Sequence, residues 1–355
     1  MPLYLNNKRI KELWLNGKKI KEAWLNNVKV FSIWKLFTKL INPATLPTGD
    51  SGGCSLSPDG VYLAVAHYNS PYITIYKRNG DTFTKLANPA TLPTSNGRGC
   101  SFSTDGVYLA VGVVSSPYIM IYKRSGDTFT KLANPATLPT GTCTSCSFSP
   151  NGVYLAVRGS SKYIMIYKRN GDTFTKLADP ATLPTSTGNG VSFSPDSNYL
   201  VVSHVVSPYI TIYKRSGDTF TKLADPATLP TSTGRGCNFS PDGVYLAVAH
   251  DNSPYITIYK RSGDTFTKLA DPAALPPSTG SNNCSFSPDS NYLVVGNYYS
   301  PYIMIYKRSG DTFTKLANPA TLPTSGGNGV SFSSDGNYLA VSHDSSPFLT
   351  IYKVT

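Results

Sequence analysis

The sequence lacks the features of a membrane-spanning or helical chain. No apolar run approaches the roughly 20 residues that a membrane-spanning helix needs. Residues 1–12 carry too much charge for a signal peptide. No segment has apolar residues at helical spacing. We therefore expect an all-β chain that does not insert into a membrane.

Motifs for catalysis and metal binding are also missing. The sequence contains no nucleophile elbow, phosphate-binding loop, paired-carboxylate motif or zinc signature. The stretch Cys-Thr-Ser-Cys from Cys143 to Cys146 has no second pair and no accompanying histidine motif. We therefore expect a protein that is not an enzyme, with no catalytic residue, no metal and no cofactor. This expectation concerns motifs, since a site assembled from distant loops has no such signature.

What the sequence has is a repeat of about 46 residues. The tetrapeptide Phe-Thr-Lys-Leu occurs with spacings of 46, 46, 45, 46, 46 and 47 residues, beginning at Phe37, Phe83, Phe129, Phe174, Phe220, Phe266 and Phe313. One copy predicts four short strands, a to d, at residues 100–103, 108–111, 118–123 and 129–132. Seven such sheets packed face to face around an axis form a seven-bladed β-propeller.

The two ends of the repeat region complement each other. The Phe37 copy of strand d comes before any strand a, b or c, and the last copy reaches Thr355 without a strand d. We predict that residues 34–40 supply the missing d strand by pairing within residues 330–353, which closes the ring and removes two exposed edges. The predicted division is a hairpin module at 1–33 and a propeller at 34–355.

The repeat resembles the WD-repeat and WD-like propellers over residues 34–355. Ser-Pro-Asp-Gly at 57–60 and 240–243, each followed by Val-Tyr-Leu-Ala-Val, is similar to that family's a–b turn and b strand. The Trp-Asp pair of the family is replaced by Ile75-Tyr76-Lys77, and its Gly-His pair is missing. The resemblance therefore implies the architecture of the family rather than its buried hydrogen-bond network.

The net charge of +12 is unevenly distributed. Residues 1–36 hold eight basic side chains against two acidic ones, a net of +6 and half of the total. The other basic residues alternate with aspartates in every copy, which is typical of a solvated rim, so we do not expect nucleic-acid binding.

Five of the six cysteines share one repeat position: Cys54, Cys100, Cys146, Cys237 and Cys284. Val191 and Val330 stand there in the other two copies, which indicates a small buried hydrophobe on strand a. Unpaired thiols favour assembly in a reducing cytoplasm.

Residues 1–33 contain a different repeat with a period of ten, which places Tyr4, Trp14 and Trp24 at equivalent positions. Asn16-Gly17 is a strong hairpin signal, so the period predicts a meander of three small hairpins. A meander of this size has too little core to be stable alone. We expect it to cap the propeller, to trimerise, or to attach the protein to a larger assembly.

The Leu-Asn-Gly-Lys-Lys-Ile hairpins look like segments of virion proteins from phages and prophages of Gram-positive bacteria, where they precede a variable outer domain. The resemblance implies a location in the virion, with assembly in the cytoplasm of the bacterial host. It also implies that residues 1–33, with Tyr4, Trp14 and Trp24 as anchors, contact other virion structural proteins in the tail or on the head.

The seven copies differ mainly in the b–c loop and in the d–a loop. Strand order puts both loops at one end of each blade, so the variable residues share a face, as in a recognition surface. Tyrosine adds rigid contact area, and Asn, Asp and His offer hydrogen bonds suited to sugar hydroxyls. The predicted ligand-binding residues are His67, Tyr68, Asn69, Arg98, Arg158, Asn189, His204, Arg235, His250, Asp251, Asn252, Asn282, Asn283, Asn297, Tyr298, Tyr299, Asn328, His343 and Asp344.

The four histidines of the chain all belong to this set. Whole blades separate them, which argues against a shared metal site. We expect solvent-exposed hydrogen-bonding side chains whose charge changes with pH and modulates binding.

The leading hypothesis is a non-enzymatic virion protein whose propeller binds a host-surface glycan or protein. Neutral drift at exposed loop tips would produce the same variation. Two alternatives remain: an intracellular WD-like scaffold for a protein partner in the cytoplasm, and a purely structural virion decoration.

Overall fold

The computed structural model describes residues 35–161, 163–277 and 280–355, together with the backbone of six short strands within residues 4–32. These residues form strands, turns and loops, and they include no helix able to cross a membrane. The all-β prediction is confirmed.

The six short strands pair two by two into three separate hairpins, as the ten-residue period predicts. The pairs are Tyr4–Leu5 with Lys8–Arg9, Leu13–Leu15 with Lys18–Ile20, and Glu22–Leu25 with Val28–Ser32. The side chains of Tyr4, Trp14 and Trp24 lie outside the described residues, so their anchoring role stays a prediction.

Seven four-stranded antiparallel sheets, blades 1 to 7, follow. The a strands are Ser51–Leu56, Gly97–Phe102, Cys146–Phe148, Gly188–Phe193, Gly234–Phe239, Ser281–Phe286 and Gly327–Phe332. The b strands are Tyr62–His67, Tyr108–Val113, Tyr154–Val157, Tyr199–His204, Tyr245–His250, Tyr292–Asn297 and Tyr338–His343. The c strands are Ile73–Asn79, Ile119–Ser125, Met165–Asn170, Ile210–Ser216, Ile256–Ser262, Ile303–Ser309 and Leu349–Val354.

Strand d of blades 1 to 6 is Thr82–Lys85, Thr128–Lys131, Thr173–Lys176, Thr219–Lys222, Thr265–Lys268 and Thr312–Lys315. In blade 7 it is Phe37–Lys39, which lies opposite the c strand, with Phe37 across from Val354 and Lys39 across from Tyr352. The predicted ring closure is confirmed. It seals a strand edge that would otherwise stay unpaired.

The core lies between neighbouring blades. The apolar run of each b strand is buried on both faces, because the preceding blade covers one face of the sheet and the following blade covers the other. Phe129 of blade 2 packs edge-on against Tyr62 of blade 1 at 5.9 Å and against its own Phe102 at 6.2 Å, measured between ring centroids. Burying one such ring stabilises the fold by about 1.5–3 kcal/mol.

Strand a is the innermost strand of each blade, and neighbouring a strands crowd around the axis. Glycine relieves this crowding at two positions. A Cβ on Gly99 would lie 2.7 Å from the carbonyl oxygen of Thr144, and one on Gly236 would lie 2.8 Å from the Cα of Asn283. The a strands begin up to three residues earlier than predicted, because the backbone before Cys100 already pairs with strand b.

The a–b and c–d turns form the end of the disc that we call the constant face. There the Tyr62 hydroxyl of blade 1 donates to Asp127 of blade 2 at 2.6 Å, and Lys77 donates to the same carboxylate at 2.8 Å. The same contacts join Tyr108 and Lys123 to Asp172, Tyr154 and Lys168 to Asp218, Tyr199 and Lys214 to Asp264, Tyr245 and Lys260 to Asp311, and Tyr338 and Lys353 to Asp81.

An arginine at the end of strand c strengthens these junctions. Arg124 of blade 2 forms a 3.0 Å ion pair with Asp59 in the a–b turn of blade 1 and stacks over Tyr62 at 4.6 Å. Asp59 is also a turn residue, as predicted, because it accepts from the Val61 amide. The constant charges of the repeat are therefore contacts between blades and not only a solvated rim.

Between blades 6 and 7 a different residue takes the place of this arginine. Strand d of blade 7 comes from the start of the propeller, so no c–d turn precedes it. Lys35 instead pairs with Asp289 at 3.1 Å and lies over the Tyr292 ring at 5.3 Å. The non-covalent closure thus has its own version of the junction.

Candidate recognition face

The b–c and d–a loops form the opposite end of the disc, which we call the variable face. In blade 1 the Thr48 hydroxyl of the d–a loop donates to the Ser70 carbonyl of the b–c loop at 2.8 Å. The Tyr68 amide donates to the Asp50 carbonyl at 3.0 Å. Equivalent bonds from Thr94, Thr185, Thr231 and Thr324 join the two loops in blades 2, 4, 5 and 7.

The prediction that the histidines are solvent-exposed is wrong. His67, His204, His250 and His343 are 0 % exposed, and each is the last residue of a b strand. In blade 1 the His67 Nε2 lies 2.9 Å from the Thr74 hydroxyl on strand c, and its Nδ1 lies 3.4 Å from the Thr48 hydroxyl. The imidazole therefore ties strand b to strand c and to the d–a loop inside the blade.

Differences between the copies support this structural role. The blades with a histidine also have a threonine partner on strand c: Thr74, Thr211, Thr257 and Thr350. Blade 2 has Val113 and Met120 at these two positions, and blade 6 has Asn297 and Met304. Blade 3, whose b–c loop is one residue shorter, has Met165 and no histidine. Histidine and threonine thus occur together, and methionine stands at the threonine position where histidine is absent.

Burial keeps these imidazoles neutral. Loss of solvation lowers the pKa of His67, His250 and His343 to about 4, and it lowers the pKa of His204 in the same direction. A buried neutral imidazole cannot tune ligand binding near neutral pH as predicted. The four histidines leave the set of ligand-contacting candidates.

Five variable residues assigned to the d–a loop lie instead within strand a: Arg98, Asn189, Arg235, Asn282 and Asn328. Each stands at a β-bulge, where the register with strand b shifts by one residue. A bulge turns its extra residue out of the alternating pattern. The sequence signal was the Gly-X-Gly pattern around most of these residues, as in Gly97-Arg98-Gly99. Asn283, which follows the bulge in blade 6, also lies in strand a.

Several bulge residues join neighbouring blades close to the axis. The Asn189 amide donates to the Gly234 carbonyl of blade 5 at 2.9 Å, and the Asn328 amide donates to the Ser51 carbonyl of blade 1 at 3.2 Å. Asn328 also donates to Asp344 in its own blade, where burial raises the pKa of the Asp344 carboxyl. The amide of Asn282 donates to the Gly327 carbonyl in the same way, so this contact recurs where the bulge residue is asparagine.

A cavity of about 240 Å³ lies on the axis and is lined by the a strands. Asn189, Arg235, Asn238, Asn282 and Asn283 give it amide and guanidinium groups, and none of its described lining residues carries a carboxylate or an imidazole. The five cysteines of the a strands line it as well, as free thiols. Burial raises the pKa of Cys54 to about 12, so this thiol stays protonated at neutral pH.

Two further predicted residues are buried. Arg158 is 6 % exposed, and its Nη1 donates to the Thr144 hydroxyl at 2.9 Å. Burial lowers the pKa of its guanidinium. Asn297 is 1 % exposed and ends the b strand of blade 6. Neither side chain is available to a ligand on the surface.

The most exposed aromatic residues of the described chain lie together in blade 6. Tyr298 and Tyr299 are 54 % and 51 % exposed, and their rings meet edge to face with centroids 5.1 Å apart. In blade 1 Tyr68 is covered by Arg98, whose guanidinium stacks over the ring at 4.2 Å. Asn69 and Asn252 are exposed at other loop tips, and the apolar pair Val205 and Val206 is exposed in blade 4.

The tyrosine pair adjoins a charged pair in blade 5. The Arg235 Nε and Nη2 bind the two oxygens of Asp251 at 2.8 and 2.9 Å, which is a bidentate contact. Gly280, in the d–a loop of blade 6, lies between this pair and the tyrosines. A Cβ on Gly280 would lie 3.5 Å from Asp251 Oδ1 and 4.0 Å from Tyr298 Cβ. Tyr298, Tyr299, Asp251 and Arg235 form what we call the blade 5–6 cluster, and Arg235 links it to the axial cavity.

Comparison with known proteins supports the fold. A family model described as lactonase, 7-bladed beta-propeller, matches residues 146–271, which are blades 3 to 5. No curated protein matches the chain. Within the described residues, no group of three or more His, Cys, Asp or Glu side chains is placed to hold a metal ion.

Proposed function

We propose that this protein is a non-enzymatic recognition protein whose variable face binds a host-surface glycan or protein. One observation carries the proposal. The seven copies keep their junctions on the constant face nearly unchanged, while their exposed residues differ on the variable face. Exposed loops on a rigid frame are where proteins place binding residues.

A carbohydrate is the ligand class that the blade 5–6 cluster favours. Tyr298 and Tyr299 offer an apolar ring surface with hydroxyl groups, which suits the face of a sugar ring. Asp251 and Arg235 are held in place by their bidentate contact, so they present fixed acceptors and donors beside the rings. The asparagine amides of the axial cavity extend this polar surface inward.

The proposed location is a virion, with residues 1–33 attached to other virion structural proteins. The ten-residue hairpin repeat and its likeness to phage and prophage virion proteins motivate this part. The division into an attachment module and a recognition propeller follows from it. A stable complex with a cytosolic protein, together with absence from purified particles, would favour an intracellular scaffold.

The test is adsorption of purified protein to host cells and to their cell-wall polysaccharide. We expect Tyr298→Ala with Tyr299→Ala to lose most of the binding, because exposed aromatic residues dominate contact energies. Asn79→Ala, an exposed change on the constant face, is the matched control and should bind normally. Wild-type binding that persists in the tyrosine variant would remove the assignment to this cluster, and absence of binding by the wild type would remove the recognition function.

The family match makes lactone hydrolysis a second candidate. Hydrolysis of a lactone needs a group that activates water close to the ring carbonyl. Arg235 could stabilise a developing oxyanion in the axial cavity, whose described lining has no carboxylate or imidazole to act as the base. Turnover of a panel of sugar lactones that falls on Arg235→Ala would replace the recognition proposal with a hydrolase.

A further inference from the structure

Two large apolar side chains stand exposed on the outer edge of blade 7. Leu36 is 63 % exposed and Ile41 is 95 % exposed. In the described part of the chain, the other exposed large hydrophobic residues all lie on the variable face, at Val205, Val206, Tyr298 and Tyr299. The edge of blade 7 is therefore a second apolar surface, well separated in the chain from the recognition residues.

The other six copies show that this apolar character is not needed by the blade. At the position of Ile41 they have alanine, at Ala87, Ala133, Ala178, Ala224, Ala270 and Ala317. At the position of Leu36 they have threonine, at Thr82, Thr128, Thr173, Thr219, Thr265 and Thr312. All twelve of these residues are exposed. Only the copy that follows the hairpin segment carries large apolar side chains there.

A groove lies beside Ile41. It has a volume of about 570 Å³ and runs between the segment after strand d of blade 7 and strand d of blade 1. Leu40, Pro43, Ala44 and Phe83 contribute to its lining along with Ile41. Its size is within the range of known binding pockets.

We propose that the hairpin segment of the same chain, residues 4–32, docks on this edge through Leu36, Ile41 and the groove. Two-stranded hairpins need a packing partner to be stable in water. The last hairpin strand ends at Ser32, four residues before Leu36, and four extended residues span at most about 14 Å. This short tether gives the edge of blade 7 a higher effective concentration than any other surface. The docking does not depend on what the variable face binds.

Tryptophan fluorescence tests the docking, because the three tryptophans of the chain are Trp14, Trp24 and Trp34. In a Trp34→Phe background the emission reports only the hairpin segment. Leu36→Thr with Ile41→Ala restores the residues of the other six copies. We expect this change to shift the emission to the red, to increase quenching by acrylamide and to speed cleavage by trypsin within residues 1–33, while the melting temperature of the propeller stays the same.

The control variant is Val205→Thr with Val206→Ser, which removes exposed apolar surface from the variable face and should leave the emission unchanged. Unaltered emission, quenching and cleavage in the Leu36 and Ile41 variant would overturn the proposal. The Trp34→Phe protein with Leu36 and Ile41 intact is also diluted. If its emission then shifts to the red, a second copy supplies the contact, which also overturns docking within one chain.

Discussion

The two faces of the propeller differ in where their repeated hydrogen bonds lead. On the constant face the repeated bonds cross from one blade to the next, as from Tyr62 and Lys77 to Asp127. On the variable face the repeated bonds stay inside a blade, as from His67 to Thr74. Bonds from Asn189 and Asn328 do cross between blades on the variable face, but they come from a repeat position that is arginine in other copies, at Arg98 and Arg235.

This contrast explains why variation is tolerated on one face. A change in a constant-face residue alters the fit of two blades at once. A change in an exposed b–c loop residue alters one blade, because the loop is already tied to the d–a loop and, in four blades, adjoins a buried histidine bonded to strand c. The junctions that hold the blades together thus lie on a different face from the exposed loops that vary.

The largest expected effect comes from breaking one junction entirely. Deletion of residues 1–40 removes strand d of blade 7, including buried Phe37 and the ion pair from Lys35 to Asp289. Loss of one buried phenylalanine side chain alone costs about 3–5 kcal/mol. We expect a large drop in the free energy of unfolding, measured with urea, and a much smaller drop for deletion of residues 1–33. Equal stability of the two truncated proteins would contradict the closure by Phe37–Lys39.

The second effect is a loss of stability in mild acid, caused by the buried histidines at the ends of the b strands. Burial lowers the pKa of His67, His250 and His343 to about 4 in the folded protein. The unfolded chain binds a proton at each histidine near pH 6.5. Between pH 6.5 and 4 the unfolded state therefore holds more protons, so stability falls as the pH falls, by up to about 1.4 kcal/mol per pH unit for each histidine.

Urea titrations from pH 7 to pH 4.5 measure this dependence. Replacing one histidine–threonine pair, His250→Val with Thr257→Met, should reduce the slope of the unfolding free energy against pH by the contribution of one proton. A free energy of unfolding that stays constant over this range would show that the imidazoles are not held neutral by the fold.

The third effect is the loss of stability at neutral pH when one histidine is removed and its threonine partner is kept. His250→Val leaves the hydroxyl of Thr257 without its 2.9 Å contact in a buried position, which costs about 1–3 kcal/mol. Adding Thr257→Met reproduces the Val113 and Met120 pair of blade 2 and should restore most of the stability. A double variant as unstable as the single one would show that the pairs are not interchangeable.

The smallest effect compares one hydroxyl on each face. Tyr62→Phe removes the bond to the Asp127 carboxylate and should cost about 1–2 kcal/mol, since hydrogen bonds to charged groups are strong. Tyr298→Phe removes an exposed hydroxyl and should change the unfolding free energy by less than about 0.5 kcal/mol. Equal costs in thermal melts would remove the distinction between the faces.

The architecture was predictable because a long repeat constrains every blade at once. Seven copies of Phe-Thr-Lys-Leu set the number of blades, and the unmatched ends required the pairing of Phe37–Lys39 with Leu349–Val354. The histidines were misjudged because a polar residue at the end of an apolar strand resembles the start of an exposed loop. Their joint occurrence with Thr74 and its equivalents was already visible in the sequence.

Other parts of the site depend on contacts between blades that spacing does not reveal. The closeness of Asp251 to Tyr298 results from two loops of neighbouring blades meeting across Gly280. Arg158 is buried because it follows Val157 at the repeat position of Ala66 and Ala249, which is buried in those blades as well. Lys35 takes the place of the arginine only because its strand comes from the other end of the propeller region.

The uniform junctions of the constant face make the blades interchangeable parts. Because the same tyrosine, lysine and aspartate meet at six junctions, a blade from one position fits beside a blade from another. Recombination between near-identical repeats can therefore reorder the blades, and with them the pattern of exposed loops, while these six junctions keep their constant-face contacts. New surfaces then arise by permutation of existing blades, without waiting for point mutations to accumulate in any one loop.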